Sequence, residues 1–242
     1  MLTKLHCIAL RTVRVNDSRN LQSVWSREQG RLTFVMPAGN GREARRRRAL
    51  TAPLALFEAV GDVRPDRDII RVRDLSPLDG SPVMSMSPVR TAAAAFIAEA
   101  LDILLRRTPA DDALSSFLFD AVAYYGMAPS GAAANFHMSF LCHLSRYLGI
   151  APDIDEYMPG YCFDMREGRF TATAPLHGDF LWPAGSRFLL ALFAVPLAHC
   201  GLLRVSRSER RKAIDDILRY YSLHLCELEG LQSLSILREI FD

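Results

Sequence analysis

The stretch that decides the fold of the N-terminal part is Leu21-Gln-Ser-Val-Trp25-Ser-Arg-Glu-Gln-Gly30-Arg-Leu-Thr-Phe-Val-Met36. Its first seven residues are rich in β-forming types, and so are its last six. The three residues between them, Glu28-Gln29-Gly30, end in glycine, which is typical of a hairpin turn. The stretch therefore predicts two strands paired as a β-hairpin.

Further strand-like runs lie on both sides of this hairpin. Apolar and polar residues alternate between Leu5 and Val15, which is the period of a half-buried strand. The runs 54–60 and 69–75 have a similar composition and are separated by glycine, proline and aspartate. Five short strands in about 75 residues predict a small β-barrel or sandwich, and we assign residues 1–80 to this domain.

The hydrophobic period changes to that of helices near residue 87. Ser87-Pro88 is a helix cap followed by proline at the first helical position, and residues 92–107 favour helix. Helical spacing or capping signals then recur at 108–126, 135–148, 206–225 and 231–241. A small hairpin is possible around residues 161–170. The pattern predicts an α+β chain, in which residues 81–242 form an all-helical bundle.

Charge is distributed unevenly along the chain. Residues 1–90 contain 16 Lys and Arg against 9 Asp and Glu, a net charge of +7. Residues 91–242 contain 13 against 18, a net charge of −5. A basic part joined to an acidic part indicates two units with different partners.

An arginine tract is the sharpest local feature. Its members are Arg42, Arg45, Arg46, Arg47 and Arg48, opposed only by Glu43. Consecutive side chains are rotated by about 100° on a helix and alternate on a strand, so four arginines in a row cannot share one face. The tract is predicted on a protruding loop or the first exposed turn of a helix. A solvated charge run and a phosphate-binding segment both fit this pattern.

Other residues of the predicted β-domain would extend such a nucleic-acid surface. Basic residues on strands or at their ends are Arg11, Arg14, Arg27 and Arg31. Small barrels of the OB type bind single strands through basic residues that follow the backbone and aromatic residues that stack on bases. Trp25 and Phe34 lie on neighbouring predicted strands, where they would serve either as stacking platforms or as barrel core.

Signatures of enzymes and metal sites are missing from the sequence. It contains no GxGxxG, GxxxxGK[ST] or GxSxG motif, and no two of its five cysteines lie within four residues of each other. We therefore predict no zinc and no catalytic residues. The longest strongly apolar stretch, residues 189–198, is half of the ~20 residues that a spanning helix needs, so no membrane segment is expected. Arg11 and Arg14 interrupt the N-terminal region, so we expect no secretory signal and a cytoplasmic protein.

Three segments of the chain resemble the RecO family of bacterial DNA repair proteins, recombination mediators. They are residues 9–18 with 25–32, residues 136–150, and residues 220–225 with 231–241. The last two resemble the Bacteroides-type members most. The order of the segments matches over essentially the whole chain.

The resemblance implies an N-terminal OB fold, a C-terminal helical domain, and the binding and annealing of single- and double-stranded DNA. It implies RecR and the acidic C-terminal tail of single-stranded DNA-binding protein as partners. Many members carry a four-cysteine zinc site after a Leu-Gly pair, but here Leu148-Gly149 is followed only by Cys162. The family's basic loop corresponds to residues 41–48.

The leading hypothesis is a non-enzymatic DNA-binding mediator that promotes annealing and recombinase loading. An alternative is an adaptor whose arginine-rich loop binds an acidic protein segment, and a small hydrolase with a scattered active site is a third possibility. For the acidic tail, the sequence suggests Arg146 and Tyr147, at the end of the predicted helix 136–148. A helix C-terminal cation facing water would explain Arg146 equally well.

Overall fold

Five strands at the start of the chain form a closed barrel. The structure is a computed structural model, and it describes residues 2–64, 69–79, 81, 87–225, 228 and 230–241. They are β1 (Leu2–Arg14), β2 (Arg19–Ser26), β3 (Gly30–Pro37), β4 (Leu56–Asp62) and β5 (Ile69–Pro77). Their order around the barrel is β1-β2-β3-β5-β4, with β4 paired to β1. Only the β3–β5 pairing is parallel. The architecture is therefore an OB-type barrel rather than a sandwich.

The predicted hairpin joins β2 to β3. Ser26 pairs with Gly30, and Gly30 adopts a φ of +72°. That left-handed conformation suits glycine, because a β-carbon would strain it. Inside the barrel, the rings of Phe34 and Phe57 meet edge to face with centroids 6.4 Å apart. Both residues belong to a core that alternate residues of the five strands fill.

Four helices belong to the same compact unit as the barrel. They are α1 (Arg42–Leu50), α2 (Pro88–Leu104), α3 (Asp112–Met127) and α7 (Gln232–Phe241). This first unit comprises residues 1–127 and 232–240. The Glu99 carboxylate on α2 accepts hydrogen bonds from the backbone N–H groups of Gln232 and Ser233, at 3.2 and 2.9 Å, and so caps α7. The change of period near residue 87 thus marks a change of secondary structure, while the compact unit continues to Met127.

The second unit, residues 128–231 with 241–242, is mainly helical. Its helices are α4 (Ser130–Tyr147), α5 (Pro183–Ala194) and α6 (Arg207–His224). The unit also contains three short strands, β6 (Cys162–Asp164), β7 (Arg169–Thr171) and β8 (Phe180–Leu181). They form one sheet with the order β7-β6-β8. The small hairpin expected around residues 161–170 is confirmed, so the expectation of a purely helical second domain needs correction.

Capping explains where several helices begin. Ser87 accepts from the backbone N–H of Arg90, and Ser206 and Glu209 form the predicted capping box of α6. Helix α3 starts later than the Thr108 signal suggests. The carboxylate of Asp111 accepts from the Leu114 N–H at 2.7 Å, and this charge-assisted bond caps the helix instead.

We expect Gly30→Ala to lower the free energy of unfolding by about 1–2 kcal/mol, because the new β-carbon meets a positive φ and lies 3.2 Å from the Ala110 nitrogen. Denaturant titration followed by circular dichroism measures the change. Gly131→Ala is the control, because this glycine lies in α4 with nothing within 4 Å of the added carbon. It should be neutral or stabilising. Equal effects of the two substitutions would contradict the strained-turn assignment.

Candidate nucleic-acid interface

The arginine tract forms α1, a nine-residue helix between β3 and β4. Of the two alternatives predicted for the tract, the protruding loop is wrong and the exposed helix is confirmed. Ala44 is its only buried member, and Leu50 packs against the barrel core. Because α1 contacts the barrel through so few apolar residues, most of its surface faces solvent. Arginines can therefore lie on several sides of the helix.

The five arginines of α1 differ in how far they are engaged. Arg46 donates to the Leu75 carbonyl at 3.4 Å, and Arg48 donates to the Gly39 carbonyl at 2.7 Å. Arg47 is mostly buried, and Glu43 lies 3.7 Å from both Arg46 and Arg47. Arg42 and Arg45 are exposed and have no ion-pair partner in the part of the chain that the structure describes. These two are the most available cations of the tract.

A second basic surface lies on the outside of the barrel. Strand register places Arg11, Ser23, Thr33 and Ile69 in one row across four strands, and Val13, Leu21, Val35 and Arg71 in the next. The core residues Phe34 and Ile70 pair between Thr33 and Val35, so both rows face outward. Val13 and Ile69 are exposed, as are the two arginines. The two rows together contain four apolar side chains and two hydroxyl side chains, with a cation at each of two opposite corners.

Arg71 and Arg73 of β5 are basic residues that the sequence reasoning missed. They alternate with Ile70 and Val72 in the segment Ile70-Arg71-Val72-Arg73. A spacing of two places both arginines on one face of a strand. That alternation is the signal in the sequence from which the two arginines could have been predicted.

The other end of the same outer face is covered. Trp25 is fully buried, and its indole N–H donates to the Ser115 hydroxyl of α3 at 3.1 Å. Phe34 is equally buried inside the barrel. Of the two roles considered for these aromatic residues, the structure shows the core role for both. A stacking role for Trp25 or Phe34 is therefore wrong.

Arg27 and Arg31 are engaged at this covered end. The Arg27 guanidinium lies 4.5 Å from the centre of the Phe119 ring of α3. Arg31 donates to the Asp102 carboxylate of α2 at 2.7 Å, and its side chain is 21% exposed. Arg14, in contrast, lies at the exposed end of β1 and pairs with Asp17 in the following turn. Both engaged arginines contact helices that pack on the barrel, so they are less available to phosphates than Arg42 and Arg45.

Burial favours the neutral form of two thiols and one imidazole in the interior. Burial raises the pKa of the Cys7 and Cys142 thiols. Burial, with a smaller contribution from the positive charge of Arg210, lowers the pKa of His137 to about 3. Among the described residues, no three His, Cys, Asp or Glu side chains are grouped so as to hold a metal ion. Cys226 lies outside the described residues, and the absence of zinc stays a prediction.

Arg146 and Tyr147 lie in the last turn of α4 in the second unit. Arg146 donates to the Phe193 carbonyl at 3.1 Å, and His143 bonds the Val195 carbonyl at 3.0 Å. Both side chains thus satisfy backbone carbonyls at the end of α5, which lack partners within the helix. Tyr147 is 42% exposed. None of the described helices is long and apolar enough to cross a membrane.

An OB-type barrel that exposes arginines on a helix and on its strands, followed by a mainly helical unit, defines the architectural class of the protein. No protein-family model matches the chain. It is 31% identical to the DNA repair protein RecO of Bacteroides fragilis, 30% identical to that of Phocaeicola vulgatus and 32% identical to that of Porphyromonas gingivalis, over the full length of each pair. The chain belongs to the RecO family of DNA repair proteins.

The ion pair between Arg31 and Asp102 gives a test of the structural role. We expect Arg31→Ala to lower the free energy of unfolding by about 1–3 kcal/mol, because it removes the closest cation from a buried carboxylate. Arg11→Ala, at an exposed position, should stay within about 0.5 kcal/mol. Urea midpoints measure both. If Arg31→Ala is as stable as Arg11→Ala, the pair does not hold α2 to the barrel.

Proposed function

We propose that this chain is a non-enzymatic mediator that binds single- and double-stranded DNA, promotes annealing and assists recombinase loading. The observation that supports it most is the pair of exposed arginines on α1, Arg42 and Arg45, on an OB-type barrel in a chain of the RecO family. Arg11 and Arg71 on the outer rows of the barrel would add contacts. The cytoplasm, where DNA repair takes place in bacteria, is the compartment proposed.

Phosphate neutralisation provides the mechanism. Two complementary strands repel each other through their phosphates, and guanidinium groups that contact both strands lower this repulsion. Such contacts position the nucleic acid without reading its bases, so binding should depend little on sequence. No covalent bond is made or broken in this process, which agrees with the lack of catalytic motifs in the sequence.

RecR and the acidic tail of single-stranded DNA-binding protein are the proposed protein partners, on the basis of family membership. For the tail we propose Arg146 and Tyr147, where an exposed aromatic residue adjoins a cation. The second unit also contains an apolar groove between α5, α6 and the small sheet. Lys212 lines this groove and pairs with Asp216 at 2.8 Å, but Arg146 does not line it.

Removing the two available cations of α1 tests DNA binding. Each phosphate contact with a single strand contributes ~0.7 to the slope of log affinity against log salt. We expect Arg42→Ala with Arg45→Ala to reduce the magnitude of that slope by up to ~1.4, and alanines at 45–48 together to reduce it by up to ~2.8. Fluorescence anisotropy with a labelled oligonucleotide at several salt concentrations measures the slope.

The matched control replaces Arg42 and Arg45 by lysine, which keeps both charges and should largely preserve the slope. A folded alanine variant with an unaltered slope would return the tract to a solvated charge run. If the wild-type chain ignores DNA but binds an acidic peptide through these arginines, the adaptor function is correct instead.

A peptide that copies the acidic tail tests the proposed tail site. We expect Arg146→Gln to weaken its binding several-fold, because an ion pair with a peptide carboxylate is lost. Arg187→Gln removes another exposed cation of the second unit and should have little effect. Calorimetric titration measures the affinities. If Lys212→Gln weakens binding while Arg146→Gln does not, the tail occupies the groove.

A further inference from the structure

The outer face of the three-stranded sheet in the second unit carries exposed aromatic and basic residues. Pairing places Asp164 opposite both Phe180 and Arg169, so these three side chains share one face. The neighbouring positions Phe163, Phe170 and Leu181 are buried in a hydrophobic cluster on the opposite face. Phe180 and Arg169 therefore point away from the core.

Trp182 follows directly after β8 and extends this face. Its side chain is 65% exposed, and its ring meets Phe180 edge to face with centroids 4.9 Å apart. Its backbone is held firmly, because its carbonyl accepts from the Ser186 N–H at 2.9 Å and Pro183 comes next. Trp25, the other tryptophan of the chain, is fully buried. The surface indole thus belongs to the second unit.

Cations lie beside this aromatic pair. Arg166 and Arg219 donate to the two oxygens of Asp179, at 2.7 and 2.8 Å, directly before Phe180 in the chain. These hydrogen bonds, led by that of Arg219, lower the pKa of Asp179, so its carboxylate is ionised at neutral pH. Two guanidinium groups around one carboxylate leave a net charge of +1, and both arginines are about half exposed.

The helix that follows adds to the positive potential. Trp182 is the N-terminal cap of α5, and no acidic residue lies in the first turn of that helix. The helix dipole therefore presents its positive end at this position. Arg169, at the far edge of the sheet, supplies a further exposed cation. Three arginines and the positive end of the α5 dipole thus lie around this face, together with two carboxylates: Asp179, which pairs with Arg166 and Arg219, and Asp164, which is buried and lies 3.4 Å from His177.

We propose that Trp182 is a stacking platform for an unpaired base, and that Arg166, Arg219 and Arg169 contact the phosphates of the same strand. The inference rests on the proposed function, since it concerns how DNA is bound. It assigns a single-strand site to the second unit. In the barrel, Trp25 and Phe34 are buried, so the contacts proposed there are with phosphates. An exposed indole beside cations suits single strands, because every base has a face for stacking and every nucleotide has a phosphate.

Intrinsic fluorescence provides a direct test, because the chain has two tryptophans and one of them is buried. Oligo(dT) should quench the emission of Trp182 by stacking on it. In Trp182→Phe the remaining emission comes from Trp25, and oligo(dT) should leave it unchanged. An abasic strand of equal length should bind through its phosphates but cause little quenching of the wild-type chain.

Affinity provides the second measurement. Trp182→Ala should weaken oligo(dT) binding by about fivefold or more, the equivalent of one lost base–aromatic stack. Trp182→Phe, which retains a ring, should lose less. Leu202→Ala removes a different exposed apolar side chain of the second unit and should have no effect. Duplex binding should change little in all three variants, since paired bases are not available for stacking.

The outcomes separate this inference from the proposed function. If the wild-type chain binds no DNA, the proposed function fails, and the inference fails with it. If DNA binds with a normal salt slope, but Trp182 is not quenched and Trp182→Ala keeps full affinity, only the inference is overturned. Loss of acidic-peptide binding in Trp182→Ala, with DNA affinity intact, would assign the surface to a protein partner.

Discussion

Closure of the barrel by the short parallel pairing of β3 with β5 is the constraint on which the rest of the first unit depends. It aligns Phe34 with Ile70 inside the barrel and Val35 with Arg71 outside. Because the interior is filled by apolar side chains such as Phe34 and Phe57, no guanidinium can be accommodated there. The arginines of the strands must therefore lie on the outer surface, where either other elements of the protein or a ligand can bind them.

The helices divide that outer surface into two parts. At one end, α2 and α3 bury Trp25 and engage Arg31 through Asp102. At the other end, Arg11 and Arg71 are exposed and lie in two outward-facing rows with the exposed apolar residues Val13 and Ile69. The part of the OB surface that is open to a ligand is therefore set by where the following helices pack. This division explains why two arginines on the outer face of the barrel differ in role. Arg31 binds Asp102 of α2, whereas Arg11 is exposed.

Local patterns predicted much of this structure. Three features that depend on a few neighbouring residues could be predicted from the sequence. They are the glycine turn at Gly30, the capping box at Ser206 and the alternation along β1. Burial of Trp25 depends on Ser115, which is 90 residues away. No local pattern reveals such a contact. The sequence left a loop and a helical turn open for the arginine tract, because its polar composition hides the contacts that Ala44 and Leu50 make and that stabilise the helix Arg42–Leu50.

The two proposed kinds of contact with DNA, with phosphates and with bases, would respond differently to the salt concentration. The proposed contacts of Arg42 and Arg45 with phosphates would release counterions and weaken steeply as salt rises. A base stacked on Trp182 loses apolar surface to water, and this contribution depends little on salt. A chain that combines them would retain part of its affinity for single strands at salt concentrations that release duplex DNA. Such a difference would favour unpaired strands over paired ones, which is the discrimination that the proposed annealing function needs in order to release the duplex product.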